Sequence, residues 1–274
     1  MEKQFLFNLK EPNYSYMFGF MQADGHLHSS TRGRGRMSIE LCEKDLYILE
    51  KFKDLIKVSS TLSVRTRSTN FKKNYTSFCL NIYNKEFRET IISYGIPSGK
   101  KSNIIEPSSY EYSEFDYWRG IIDADGSIGI TATGKPFLSL ATASENLATG
   151  FSEFIYKYTG FKNNVIRNKR DNIYNMMISQ EKCQKIIFLL YYKHCLSLPR
   201  KYELSKKILN WKRPKNIKIR NEERVKWSNE EKEILLKHSI EECYLLFNNR
   251  KKTSVRAMYD NVKKKIKNDI NRNI

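Results

Sequence analysis

The sequence predicts an α+β fold of two pseudo-symmetric αββαββα repeats whose matched helices can pack at a central two-helix interface, followed by a small all-α C-terminal domain. Three observations carry this: an internal repeat, the same order of hydrophobic periodicities after each copy, and a change of composition near residue 200. The repeat is MFGFMQADG from Met17 to Gly25 and WRGIIDADG from Trp118 to Gly126, its copies 101 residues apart.

In the first copy, residues 14–23 read as a helix that stops at Gly25, glycine being a common helix terminator. An alternating run to Glu43 follows, and then residues 44–57 carry Leu46, Leu49, Phe52, Leu55 and Ile56 at helical spacing. Strands are expected at 61–67 and 75–83, and a helix at 85–94. The second copy repeats the order. Its helix at 115–124 is followed by strands at 127–131 and 137–143, a helix at 146–158, strands at 165–169 and 173–179, and a helix at 181–192. Residues 198–220 then hold nine basic residues against the single acid Glu203, together with Pro199 and Pro214, which reads as a helix running into a basic linker. Beyond it, Ser228 with Glu231 three residues on forms a capping box ahead of a helix. A second helix at 240–247 and a third opening at Thr253 or Ser254 complete a compact tail. The expected division is 1–105, 106–212, a linker at 213–224, and 225–274.

Composition narrows the function. There are 49 Lys and Arg against 30 Asp and Glu, a formal net charge of +19, so a polyanion is the default partner and nucleic acid leads over an anionic membrane. No apolar run approaches the roughly 18 residues that cross a bilayer. The opening residues are too polar for a secretory signal, so a cytoplasmic, nucleoid-associated or organellar location is expected rather than secretion. The five cysteines are odd in number and lack C-x-x-C spacing, and read as reduced, mostly core residues.

Strand phase points the charge at a surface. Arg32, Arg34, Arg36, Ser38 and Glu40 share one face of their run, and Met37, Ile39 and Leu41 the other. Likewise Arg65 and Arg67 oppose Leu62 and Val64. An antiparallel sheet often has a plain wet side. So many arginines with little opposing acid nonetheless suit a sheet lying along phosphates and base edges. Tyr75, Ser77, Asn81 and Tyr83 on one strand face are candidates to add base contacts, and Lys72, Lys73, Arg167, Lys169 and Arg170 are further cations expected at DNA. His26 and His28 stand at strand spacing but lack a third ligand, so they read as DNA-facing or loop residues.

The chemistry is expected at Asp24 and Asp125, which end the two repeated helices. Gly19 and Ala23 share one helix face, and Gly120 and Ala124 the other; small residues there let two backbones approach and bring the aspartates side by side. Two carboxylates at helix C-termini repel each other and the helix ends, so a cation must offset them. Hard oxygens without histidine or thiolate point to Mg²⁺, or Mn²⁺, completed by substrate phosphate.

Both segments resemble LAGLIDADG motifs, and residues 14–210 are similar to the two-repeat, single-chain homing endonucleases. Gln22 departs from the acid commoner at its position, but the later position, Asp24, is the one that carries the metal ligand in that family. The resemblance implies metal-dependent double-strand cleavage of a long DNA target by a monomer, each sheet saddle reading about half the site and leaving short 3′ overhangs. It also implies a basic residue near each cleaved phosphate, for which Lys101 and Lys201 are the candidates and Lys100 an alternative to the first. The tail, with its Trp-Ser-x-Glu-Glu start, resembles Myb/SANT-like helix-turn-helix domains, which would put Arg256, Tyr259, Lys263 and Lys264 in a major groove. Two other classes share the repeat: an RNA-binding splicing cofactor for a group I intron, and a DNA-binding regulator without cleavage. A protein-binding module is the other reading of the tail.

Overall fold

The computed structural model describes residues 7–28, 35–68, 74–214, 227–247 and 250–270. Of the expected DNA contacts, Arg32, Arg34, Lys72 and Lys73 lie outside these residues. The chain divides into two compact units, Met1–Arg213 and Pro214–Ile274, with the break at the start of the expected basic linker.

The first unit opens with α1 (Pro12–Asp24), started by a proline at its first turn, where the missing N–H costs nothing. Strands β1 (Gly25–His28) and β2 (Arg36–Cys42) follow, then a 3₁₀ turn (Glu43–Asp45) and α2 (Leu46–Ile56). After these come β3 (Ser60–Arg67), β4 (Tyr75–Ile82) and α3 (Lys85–Ser93), whose N-cap Asn84 accepts from the Phe87 amide at 2.7 Å. The strands form an antiparallel sheet in the order β1-β2-β4-β3.

The second half repeats this with α4 (Glu114–Ala124), β5 (Gly126–Ile130), β6 (Pro136–Thr142), α5 (Glu145–Thr159), β7 (Tyr174–Ser179) and α6 (Gln180–Leu190). Its sheet has three strands, β5-β6-β7, and the strand expected at 165–169 is reduced to one bridge between Arg167 and Tyr174. The reason is local. The Asn168 amide donates to the Ile173 carbonyl and the Asn172 amide to the Asn168 carbonyl, closing a tight turn that ends pairing after one step. Helix α7 (Pro199–Leu209) completes the unit.

One continuous core runs through both halves, from Phe18 and Phe52 in the first to Trp118, Phe151 and Phe154 in the second. At its centre α1 packs on α4. A side chain at Gly19 would collide with the Tyr117 carbonyl, and one at Gly120 with the Tyr16 carbonyl and, at 2.8 Å, the Phe20 nitrogen. Gly25 differs from expectation: its φ is −75° and ψ 154°, the start of a strand rather than a left-handed stop. Glycine is needed there because a Cβ would meet the Met37 side chain and, at 2.5 Å, the Met21 carbonyl.

The second unit contains α8 (Asn229–Lys237), α9 (Ile240–Leu246) and α10 (Lys252–Ile270). Both Ser228 with Glu231 and Ser239 with Glu242 form capping boxes. Its small core is Leu235, Cys243, Phe247 and Val255, with Trp227 alongside. Cys79, Cys183 and Cys243 are buried, Cys42 and Cys195 are partly so, and all five are free.

Candidate active site and nucleic-acid interface

The α1–α4 contact is tied by a pair of reciprocal hydrogen bonds. Tyr16 donates across the interface to Asp123 at 2.7 Å, and its repeat counterpart Tyr117 donates back to Gln22 at 2.6 Å. Gln22 and Asp123 hold equivalent places, and their surroundings explain why they differ. Asp123 meets only donors: the hydroxyls of Tyr16 and Tyr191 and the Leu198 amide, all within 2.7 Å. Gln22 meets one donor but also the carbonyls of Glu106 at 2.7 Å and Gly95 at 3.4 Å, which need an N–H. A carboxylate accepts and cannot donate; an amide does both. The glutamine thus answers the hydrogen-bonding demand of its site.

This brace sets the last turns of α1 and α4 together, and Asp24 and Asp125 follow at their ends with their side chains reaching solvent. Surrounding protein displaces much of their water. That desolvation, with the charge of Asp125, pushes Asp24 up to about 6, against the pull of Lys101 and Lys201. Asp125 is also raised by desolvation. Their shared deficit is of positive charge.

Lys101 and Lys201 are buried, 7% and 5% exposed, and each is joined to the helix that carries an aspartate. Lys101 donates to the carbonyls of Gln22 and Ala23, the latter at 2.6 Å. Lys201 donates to those of Ile122, Asp123 and Gly126, the last two at 2.8 Å. Each ammonium therefore satisfies carbonyls that a helix C-terminus leaves open. Burial lowers both lysines to about 8, although the neighbouring carboxylates oppose the shift. Lys100, the alternative, is exposed. Across the two halves, Arg200 on α7 grips Asp45 of the first half with bonds of 2.9 and 3.0 Å. The brace, the Arg200–Asp45 pair and Asp123 were not singled out from sequence. Tyr16 and Tyr117 immediately precede the two repeat segments, so aligning the copies one residue further would have paired them.

The outward face of the first sheet gathers the expected polar residues from all four strands. In register, His26 lies beside Ser38, Ser38 beside Asn81, and Arg65 beside Ser77. Met37, Ile39, Leu80 and Ile82 on the reverse are fully buried. Two details differ from the sequence reading. Glu40 supplies an opposing acid, taking Arg65 and Arg67 at 3.0 Å each and Ser77 at 2.7 Å. Val64 is 61% exposed, because the edge strand β3 projects beyond the core. Ser77 and Asn81 are buried in hydrogen bonds to Glu40 and Ser38, which leaves Tyr75 and Tyr83 as the open members of that row. Arg36 donates to Ser38 at 3.2 Å. His26 and His28 stack edge-on at 4.2 Å, and among the described residues no group of three or more His, Cys, Asp or Glu could hold a metal.

Elsewhere, Arg167 lies over the Tyr174 ring at 5.8 Å, and Arg170 pairs with Asp171 at 2.7 Å in an exposed turn that also holds Lys169. On α10, Arg256 pairs with Asp260 at 3.1 Å, and Lys263 donates to the Leu236 carbonyl at 2.8 Å, capping α8.

Residues 113–189 match a LAGLIDADG-like domain. The match runs from the N-cap of α4 through α6 and includes Asp123 and Asp125, so it covers the second of the two repeated halves. None of the curated proteins compared with this chain matches it. Among solved structures, I-SmaMI bound to uncleaved DNA target is similar with 13% identity and a TM-score of 0.48, over 73% of this chain and 90% of that one. I-WcaI bound to its DNA recognition sequence is similar with 16% identity and a TM-score of 0.48, over 73% and 87%. The N-terminal LAGLIDADG domain of DUF199/WhiA is similar with 16% identity and a TM-score of 0.45, over 73% and 90%.

Proposed function

We propose that this chain is a site-specific DNA endonuclease that makes a double-strand break with the help of Mg²⁺ or Mn²⁺. The observation that carries the reading is the pair of carboxylates, Asp24 and Asp125, at the ends of two braced helices, each helix end also holding a buried lysine. A structural turn would need neither the matched pair nor the cations beneath it. The LAGLIDADG-like match over 113–189 agrees with this for the second half.

The donors at the site are hard oxygens, and no third His, Cys, Asp or Glu stands with them among the described residues. They suit a divalent ion held by Asp24 and Asp125 and shared with a substrate phosphate, rather than a closed protein cage. When bound, such an ion supplies positive charge to the phosphodiester and its departing oxygen. The chain's own groups do the rest. Lys101 and Lys201 tie off the helix-end carbonyls and offset the two carboxylates, so that a phosphate meets less negative potential. The Tyr16–Asp123 and Tyr117–Gln22 bonds fix the spacing of the helices, and with it that of the two cuts. The face bearing Arg36, Arg65 and Arg67 lies along the duplex, and α10 of the tail adds contacts through Lys252, Arg256 and Lys264, which are exposed.

The test is cleavage of DNA carrying the chain's selected target, with Mg²⁺ and with chelator. Asp24→Asn and Asp125→Asn each remove a carboxylate without adding bulk, so double-strand cutting is expected to vanish while binding survives. Full cutting by the double variant would overturn the assignment.

The tail has a second reading with its own observation. Leu245 and Leu246 on α9 are 78% and 54% exposed, which suits docking to another protein better than contact with phosphates.

A further inference from the structure

The outward faces of the two sheets are chemically unlike. The first carries Arg36, Arg65 and Arg67, with Glu40 among them and the two histidines at its edge. On the second, the residues at the same alternating positions carry no charge: Ser127, Phe137, Ser139, Ala141, Asn175 and Met177. Register sets Ser127 beside Ser139 and Ser139 beside Met177, with Ala141 beside Asn175, so these form one continuous surface. Met177 is 49% exposed on it. Among the described residues, cations stand off its ends, with Lys135 in the turn between β5 and β6 and Arg167, Lys169 and Arg170 before β7. The floor is neutral and the ends are basic. Such a surface fits a duplex whose phosphates are held at the ends while its bases face side chains without formal charge.

Major-groove chemistry then separates the two halves. Arginine pairs bidentately with guanine, asparagine with adenine, and apolar side chains touch the thymine methyl. Glu40 leaves part of each arginine's five-donor fork free, because it takes one Nη of Arg65 and one of Arg67.

Resting on the proposed DNA-cleaving reading, we infer that the two halves of the target differ in base composition. Its half opposite the first sheet is specified by guanines. Its half opposite the second is A·T-rich, held by Ala141, Met177 and Phe137 against thymine methyls and by Asn175 against adenine.

The experiment selects binding sites for the full chain from a random duplex library in chelator, then repeats the selection with Arg65→Ala. The expected sites have two halves of unlike composition, and Arg65→Ala relaxes a guanine preference in one of them only. Replacing thymine by deoxyuridine in the other half is expected to weaken binding about fourfold per contacted methyl, the worth of one buried CH₂ group. The same replacement in the guanine half leaves binding unchanged. Guanine selected in both halves, or deoxyuridine without effect in the A·T half, overturns the inference while leaving sequence-specific DNA binding intact. If no sequence is enriched, the proposed function falls and takes the inference with it. Capture of a protein rather than DNA by the second face would show as enrichment confined to the first half, and also overturns it.

Discussion

Asp24 and its neighbours govern the response to pH. With the folded carboxyl at about 6 and an ordinary value near 3.8, the native state holds that proton more tightly than the unfolded chain does. Its stabilising contribution is therefore fully present below about pH 3.8 and is lost as pH rises through about 6. Wild-type protein in chelator is expected to lose denaturant resistance relative to Asp24→Asn across that window, and Mg²⁺ is expected to restore it. A flat difference between the two from pH 4 to 7 would mean that the carboxylate is as well solvated folded as unfolded. Asp123 responds differently, since burial raises its carboxyl while Lys201, Tyr191, the Leu198 amide and Tyr16 draw it back. In Asp123→Asn the NH₂ would face either the Leu198 amide, which cannot accept, or the Tyr191 hydroxyl, which would have to turn from donor to acceptor in a fully enclosed site. We expect a loss of about 1–3 kcal/mol in urea melts, the usual cost of leaving a buried polar group unsatisfied. An unchanged midpoint would show that the three donors find other acceptors.

The helices and sheets were largely legible because each has a strong period. Helix α2 buries Ile48, Leu49, Phe52 and Ile56 from one stripe, and β2 buries Met37 and Ile39 on alternate positions. The strand near 165 was not legible for the same reason. Val165 and Ile166 gave it a β-like composition, but Asn168 and Asn172 closed a turn, and turn chemistry outweighs two apolar residues. At the site, Asp24 and Asp125 were singled out because they repeat at matched offsets, and Lys101 and Lys201 because of the family resemblance, whereas the Arg200–Asp45 pair joins residues 155 apart and leaves no pattern along the chain. The small residues of α1 and α4 are testable at this scale. At Gly19 and Gly120 a Cβ meets backbone, which cannot rotate away. Gly120→Ala should therefore push the helices apart, costing about 1–3 kcal/mol in thermal or urea unfolding, as overpacking does. It should also lower cutting more than binding. Unaltered stability would show that the crossing has slack.

At the scale of the whole molecule, the residues given a chemical role all lie in the first unit, and the second has a core of its own around Leu235, Cys243 and Phe247. Nothing in α8, α9 or α10 is needed to hold Asp24 or Asp125, because α1 and α4 are braced from within the first unit. The residues from Pro214 onward number 16 Lys and Arg against 9 Asp and Glu, so their removal takes away net positive charge. Part of that charge is already engaged, since Lys263 caps α8 and Arg250 lies on Trp227 while pairing with Glu231. The tail's phosphate contacts thus fall to those cations left in solvent. Each contact should add roughly 0.9 to the slope of log affinity against log salt. A chain ending at Arg213 is expected to keep metal-dependent cutting at low salt, to show a shorter footprint on one side of the target, to bind more weakly than the full chain, and to lose affinity less steeply as salt rises, its slope smaller by roughly 0.9 for each contact removed. The measurement is a salt titration of binding beside a nuclease footprint, for both lengths on one target. If the shortened chain folds, cuts, and gives the same footprint and the same slope, the tail does not touch DNA. The exposed Leu245 and Leu246 then become the surface to pursue, as a dock for another protein.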